Sequence, residues 1–365
     1  MSITLDAASP VITGFTRGRI ADGRTDWRPG HVEGMQGWSH RLTATEADTL
    51  SAALAAATAA GIGIDALTPQ NFPLPGLRPL LDRLLAEVEL GRGMFLLRGF
   101  PVARHSKDEL RAMYVGLCRH LGVLMSQSSG GDHIGDVRNF NVDVNAPAGR
   151  AYTSKQKLTF HSDQADVVSL LVLRTAKEGG VSKLASAVAI RNEIARTRPD
   201  LLDVLHQPFP WSWQEQQPPG GRPWYLQPIY TEQDGRFSSY YIRTHITSSQ
   251  RYDDAPRLSA LQVEAMDLID HLANSEAFNF ATLFQPGDVQ FLNNHVILHS
   301  RTAFEDHDEP DRRRHLLRVW LSVPNSRPLH PAMHTLFRDQ RPGAVRGGFP
   351  SRDGRRVYET TVSAS

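Results

Sequence analysis

The sequence predicts a mainly β protein with inserted helices, arranged as an antiparallel double-layered barrel or jelly roll. Three observations lead there. From about residue 135 the chain carries short β-branched or aromatic runs (KLTFH, VVSLLVLR, WYLQPIY, FSSYYIR, DVQFL, HVILH and RHLLRVWLSV) separated by turn residues. Helical periodicity is concentrated ahead of these runs instead of alternating with them, which disfavours a parallel βαβ sheet. Asp234-Gly235, between two of the runs, is a strong hairpin signal.

The elements follow in chain order. Residues 1–40 are rich in Gly, Arg, Trp and Asp and lack periodicity, so they are expected to form an irregular arm packed on the body. Thr43 and Glu46 make a capping box ahead of an alanine-rich helix over 47–60, which Gly61 can end. Leucines at helical spacing predict a helix over 77–90. FLLRGF (95–100) reads as a buried strand. Ser106 and Glu109 open a helix running to about His120. Two short helices are expected within 186–205, and Ser259 with Gln262 caps a helix over 260–273. The body is read as a single domain over 41–325, and 326–365, rich in Arg, Gly and Pro, as a mostly irregular tail.

Composition narrows the function classes. With 40% hydrophobic and 22% charged residues in 365, a sizeable core can form. Forty Lys and Arg against 39 Asp and Glu leave a net charge of +1, so no bulk field draws the chain to nucleic acid or an anionic membrane. Cys118 is the single cysteine; it cannot form an internal disulfide or build a thiolate metal site, and reads as a small buried hydrophobe. The N-terminal MSITLDAASPVITGF has no signal-peptide pattern, and no run approaches the ~18–20 apolar residues of a membrane span. A cytoplasmic protein with a small-molecule substrate is expected, and a homo-oligomer is allowed.

Three segments carry chemistry. In Phe160-His161-Ser162-Asp163, residues two apart on an extended chain face the same side, so His161 and Asp163 can meet one metal. The second segment, from Gly287-Asp288 to His299-Ser300-Arg301, reads as turn, strand, loop, strand, and supplies His299 from a distant part of the chain. Two imidazoles and a carboxylate on one face make the triad of non-haem iron(II) sites, with three positions left open. In the third, Arg314 and Arg318 lie four apart among Leu316, Leu317, Val319, Trp320 and Leu321; both point the same way on a strand, and each guanidinium fork suits a carboxylate. Arg312 and Arg313 read as surface residues. His295, four before His299, competes for the ligand role, His307 and His315 lie nearby, and Asp166 reads as structural.

His161-Ser162-Asp163, the late N-x-x-x-x-HSRTAF stretch (294–304) and RHLLRVWL (314–321) together resemble the taurine dioxygenase superfamily of Fe(II)/2-oxoglutarate-dependent oxygenases, over roughly 90–325. The resemblance implies a double-stranded β-helix (jelly-roll, clavaminate synthase-like), an Fe(II) ion, and 2-oxoglutarate and O2 as cosubstrates. It makes His161, Asp163 and His299 the iron ligands. It assigns the distal carboxylate of 2-oxoglutarate to Arg314, with Ser182 of Gly179-Gly180-Val181-Ser182 where threonine is common, and an anionic substrate group to Arg318. The two arginine roles could be exchanged. Halogenating relatives lack the carboxylate ligand; retention of Asp163 argues against halogenation. Gln127, Tyr152 and Arg243 are candidate substrate contacts.

The expected reaction is oxidation of an unactivated C–H bond, hydroxylation first, in a small carboxylate-bearing molecule, with release of succinate and CO2. Desaturation or cyclisation of a natural-product intermediate is the alternative within the same chemistry. A non-redox metal- or ligand-binding β-barrel is the alternative outside it.

Overall fold

The computed structural model describes residues 12–32, 34–140 and 154–349. Two antiparallel sheets face each other as an open jelly roll. The larger has seven strands. Ser39–Arg41, Met94–Arg98, Val289–Asn293, Val167–Arg174 and His315–Ser322 lie side by side in that order, and His315–Ser322 pairs at its other edge with both Val123–Met125 and Ile134–Val137. Among these pairings only Ser39–Arg41 with Met94–Arg98 is parallel. The smaller sheet runs Asn279–Thr282, Ser182–Ser186, Ile297–Arg301, Leu158–His161.

The run VVSLLVLR is apolar throughout because its strand is buried on both faces. Val168 packs between the sheets with Met94, Leu96, Leu292 and Trp320. Val167, Leu171 and Leu173 point the other way, into a second core with Phe95, Leu97, Phe291, Leu317, Val319 and Leu321. Three helices cover that outer face: Ala44–Ala59, Arg78–Leu90 and Lys107–Arg119. Capping boxes at Thr43–Glu46 and Ser106–Glu109 start the first and third. Cys118 is fully buried in this layer.

Ala187–Thr197 and Pro199–Leu205 are the two short helices, and Ser259 with Gln262 caps Ala260–Asn274. Asp234 and Gly235, at φ 50° and 72°, turn the hairpin between Tyr230–Gln233 and Arg236–Ser239. The expected strand FSSYYIR is cut short: only 236–239 are extended, and Arg243–Ser248 is helical. Two strands of the smaller sheet, Ser182–Ser186 and Asn279–Thr282, are additions to the sequence reading.

The segments flanking the sheets pack into them. Trp27 and Trp38 are buried, both edge-on to Phe280. Beyond residue 325, Arg327 bonds Asp22 and Glu89, and Arg346 bonds Asp166, all at low exposure. No helix among the described residues is long and apolar enough to cross a membrane.

Candidate metal and cosubstrate site

The two histidines are placed by the ladder of the smaller sheet. His161 ends its strand directly opposite His299, and the ring centroids stand 4.2 Å apart. Asp163 lies two residues beyond the strand end. One ligand atom from each of His161, Asp163 and His299 falls within 4.8 Å of the others. Asp163 Oδ2 is 3.6 Å from His299 Nε2, and among the described residues it has no hydrogen-bond partner. His161 Nδ1 lies 2.9 Å from the carbonyl of Thr159. A proton on Nδ1 donates there and leaves Nε2 with its lone pair for a metal.

Electrostatics select the same protonation state. Burial, and then the neighbouring His161, push His299 down to about 3. Burial also lowers His161. Burial alone would raise Asp163, but the Arg318 guanidinium and the two imidazoles outweigh it and hold the carboxyl below its ordinary value. Two neutral imidazoles and one carboxylate face each other at neutral pH, the state a divalent cation requires. An N,N,O donor set with an orphaned carboxylate oxygen fits iron(II) and leaves half an octahedron for other ligands.

Arg318 stands beside this triad, its Nη1 3.6 Å from Asp163 Oδ1. Its Nε donates to Gln127 Oε1 at 2.7 Å, and Gln127 Nε2 donates back to the Arg318 carbonyl at 2.8 Å and to that of His133 at 3.1 Å. Gln127 therefore meets the site through Arg318. The guanidinium also lies 5.0 Å from the centre of the Trp320 ring.

Arg314, just ahead of the same strand, is 5% exposed, and among the described residues its Nη1 has no partner. Its main-chain N–H donates to Asp306 Oδ1 at 2.8 Å, and its guanidinium sits 5.1 Å from the Phe304 ring. Gly180, at φ +65°, makes room for it: a Cβ there would lie 3.1 Å from Arg314 Nε. Burial, reinforced by Arg301, pushes Arg314 down to about 9. A buried cation with an unused donor calls for an anion. Ser182 sits in the smaller sheet between Arg301 and Thr282. Thr282 Oγ1 and both amide atoms of Gln290 are further buried polar atoms without partners among the described residues. Apolar cores do not accumulate such atoms, so the space between the sheets suits a polar ligand.

The other sequence candidates fall elsewhere or into other pairings. Tyr152 lies outside the described residues. Arg243 is ion-paired to Asp267 at 2.6 Å and Asp270 at 2.8 Å, both on the helix Ala260–Asn274. That pairing commits its charge to the fold. His295 binds Asp166 at 2.9 Å, and Asp166 in turn holds Arg346, so neither joins the triad. His315 meets Asp136 at 2.6 Å. Arg312 and Arg313 are exposed.

Two residues had no assigned role in the sequence reading. Arg301, the strand partner of Ser182, is buried, donates to the carbonyls of Ser154 and Gln156, and has its guanidinium 4.7 Å from the centre of the Phe304 ring. Its spacing of two from His299 was the available signal. Asn294 accepts the Asp163 N–H at 2.9 Å and donates to the Ala165 carbonyl at 3.0 Å.

Comparison with known proteins gives the family. The family described as taurine catabolism dioxygenase TauD, TfdA family matches residues 58–320. FR-33289 synthase of Streptomyces rubellomurinus is 27% identical over 316 residues, covering 86% of this chain and 93% of that protein. Taurine hydroxylase-like protein SAT17 of Stachybotrys chartarum is 31% identical over 291 residues, 75% of this chain and 73% of its own. Among solved structures, asparagine oxygenase with Fe(II), 3-hydroxyasparagine and succinate shares the fold at TM-score 0.62 and 16% identity, over 78% of this chain and 93% of that one. The non-heme iron oxygenase OrfP with Fe and alpha-ketoglutaric acid does so at TM-score 0.53 and 18% identity, over the same shares of 78% and 93%. The chain belongs to the TauD, TfdA family and is an Fe(II)- and 2-oxoglutarate-dependent dioxygenase.

Proposed function

We propose that the enzyme hydroxylates an unactivated C–H bond of a small carboxylate-bearing substrate, converting 2-oxoglutarate and O2 to succinate and CO2. One oxygen atom goes to the substrate and the other to succinate. The carrying observation is the juxtaposition of the His161–Asp163–His299 triad with two buried arginines, Arg318 on the strand His315–Ser322 beside the triad and Arg314 just ahead of it with an unused donor.

In this reading His161, Asp163 and His299 hold the iron. Arg314 takes the distal carboxylate of 2-oxoglutarate and Ser182 adds a hydroxyl to it. Arg318, aligned by Gln127, receives the substrate's anionic group. Its distance of 3.6 Å from Asp163 would keep that group next to the metal. Bound iron and 2-oxoglutarate together supply the dioxygen chemistry. The chain's own residues orient the two acids, keep both imidazoles deprotonated and exclude bulk water from a site whose triad is less than 10% exposed. Support for an amino-acid-like substrate comes from two neighbours, one bound to 3-hydroxyasparagine and the other to 3-hydroxyarginine.

The test is a panel of amino acids and related carboxylic acids incubated with Fe(II), 2-oxoglutarate and O2, followed by mass spectrometry. Substrate-dependent succinate with a product heavier by one oxygen is expected. A product lighter by two hydrogens would replace hydroxylation by desaturation or ring closure. Folded, metal-loaded protein that forms no succinate with any acid would contradict the proposal.

A further inference from the structure

The three triad members are not held in the same way. His161 and His299 are cross-strand partners in the smaller sheet, so the backbone ladder fixes their separation. Asp163 is beyond the end of its strand and has no ladder partner. Its carboxylate faces Arg318 at 3.6 Å, while its main chain is held from the opposite corner by one side chain.

Two of the corners at which the chain passes between the sheets flank the triad. One, residues 162–166, leads from the strand Leu158–His161 to Val167–Arg174 and carries Asp163. The other, residues 294–296, leads from Val289–Asn293 to Ile297–Arg301, the strand that carries His299. Asn294 joins them. Its Oδ1 accepts the Asp163 N–H at 2.9 Å, its Nδ2 donates to the Ala165 carbonyl at 3.0 Å, and its main-chain N–H donates to the Asp166 carbonyl at 3.0 Å. It is 2% exposed. Both ends of one carboxamide are thus spent spanning the Asp163–Ala165 turn, which is itself closed by Ala165 N–H to the Asp163 carbonyl at 3.0 Å. Only a side chain offering a donor and an acceptor from one short stem can do this. His295, the next residue, adds a bond to the Asp166 carboxylate.

We propose that Asn294 is the positioning residue for the carboxylate ligand: it clamps the Asp163 turn against the corner that delivers His299, and so sets the third vertex of the triad. This rests on reading the triad as the metal site. Loss of the clamp should let Asp163 swing while the histidine pair stays in register. The expected signature is weaker metal binding that is transmitted through Asp163 alone.

The test is a titration of the full chain with Co(II), read by visible absorption of the bound ion and by competition with a chelator. Four proteins are compared: unmodified, Asn294→Ala, Asp163→Ala and the double variant. Asn294→Ala should bind Co(II) about 10–100-fold more weakly, as removal of ligand-orienting groups does. In the Asp163→Ala background the same change should cost less than about 3-fold, because there is no carboxylate left to position. Equal affinity of Asn294→Ala and the unmodified protein would overturn the proposal. So would an equal loss in both backgrounds, which marks general loosening of the fold. If Asn294→Ala does not fold, Asn294→Asp, which keeps the acceptor and loses the donor, is read in its place against the same two outcomes. Failure of the unmodified protein to bind Co(II), or of Asp163→Ala to weaken binding, would instead contradict the metal-site reading itself.

Discussion

Arg314 offers a way to separate function from stability, because the two should move in opposite directions. The side chain is buried, its Nη1 is unpartnered, and burial with the nearby Arg301 brings it down to about 9. Holding it charged in the free protein therefore opposes folding. At 1.36 kcal/mol per pH unit the full depression corresponds to roughly 5 kcal/mol, and relaxation and water entry reduce this to about 2–4 kcal/mol. Arg314→Met keeps the stem and removes the charge. With an unfolding entropy of about 0.8 kcal/mol/K for a chain this long, the variant should melt about 2–5 °C higher when free of 2-oxoglutarate. The sign with pH follows from linkage. The unfolded arginine binds its proton more tightly than the folded one, so the stability of the free native protein rises as pH climbs through 9. The gap to Arg314→Met should narrow over the same window. Function should go the other way: loss of a buried charge-assisted clamp worth about 1.5–3 kcal/mol raises the KM for 2-oxoglutarate by about 10–150-fold. Calorimetry across pH 7–10 and succinate kinetics read the two halves. A variant that melts several degrees lower, or one with an unchanged KM for 2-oxoglutarate, would contradict the role given to Arg314.

Other consequences are open to shorter tests. Gly180→Ala puts a methyl 3.1 Å from Arg314 Nε at a φ of +65°, so the KM for 2-oxoglutarate should rise about 10-fold with the fold retained by circular dichroism. Cys118 is fully buried, and burial raises its thiol well above the ordinary value; the native protein should resist aromatic disulfide reagents that label it at once in denaturant. His206 is brought down to about 4, mainly by burial. The unfolded chain takes up its proton first, so stability is lost as pH falls from about 6.5 towards 4. His206→Phe should flatten that part of a Tm-against-pH curve, and an unchanged slope would exclude His206 as a contributor.

What the sequence shows of this molecule depends on how local the cause is. Helices begin where capping boxes sit, at Thr43, Ser106 and Ser259, because the cap is satisfied within four residues. The hairpin at Asp234-Gly235 is equally local. Ser182–Ser186 and Asn279–Thr282 escape notice because SKLAS and NFAT have little strand character; their pairing comes from neighbours far along the chain. Proximity of His161, Asp163 and His299 is legible because the motifs occur in the family's order; strand alternation does not explain it, since Asp163 lies past the end of the strand Leu158–His161. The bonds that organise their surroundings are not. Asn294 reaches back to Asp163, Arg346 to Asp166 and Arg327 to Asp22 and Glu89 across 131 to 305 positions, and no periodicity records such pairs. Arg243 shows the converse: a cation near the site in sequence logic, yet held by two aspartates of a helix.

The most direct measurement is an absorption spectrum. Under strict exclusion of oxygen, adding Fe(II) and 2-oxoglutarate together to the folded protein should produce a weak visible charge-transfer band that neither produces alone. Asp163→Ala and His161→Ala should lose it. A spectrum without that band, from protein shown to have bound both metal and diacid, would contradict the assignment of the triad as the place where the two meet.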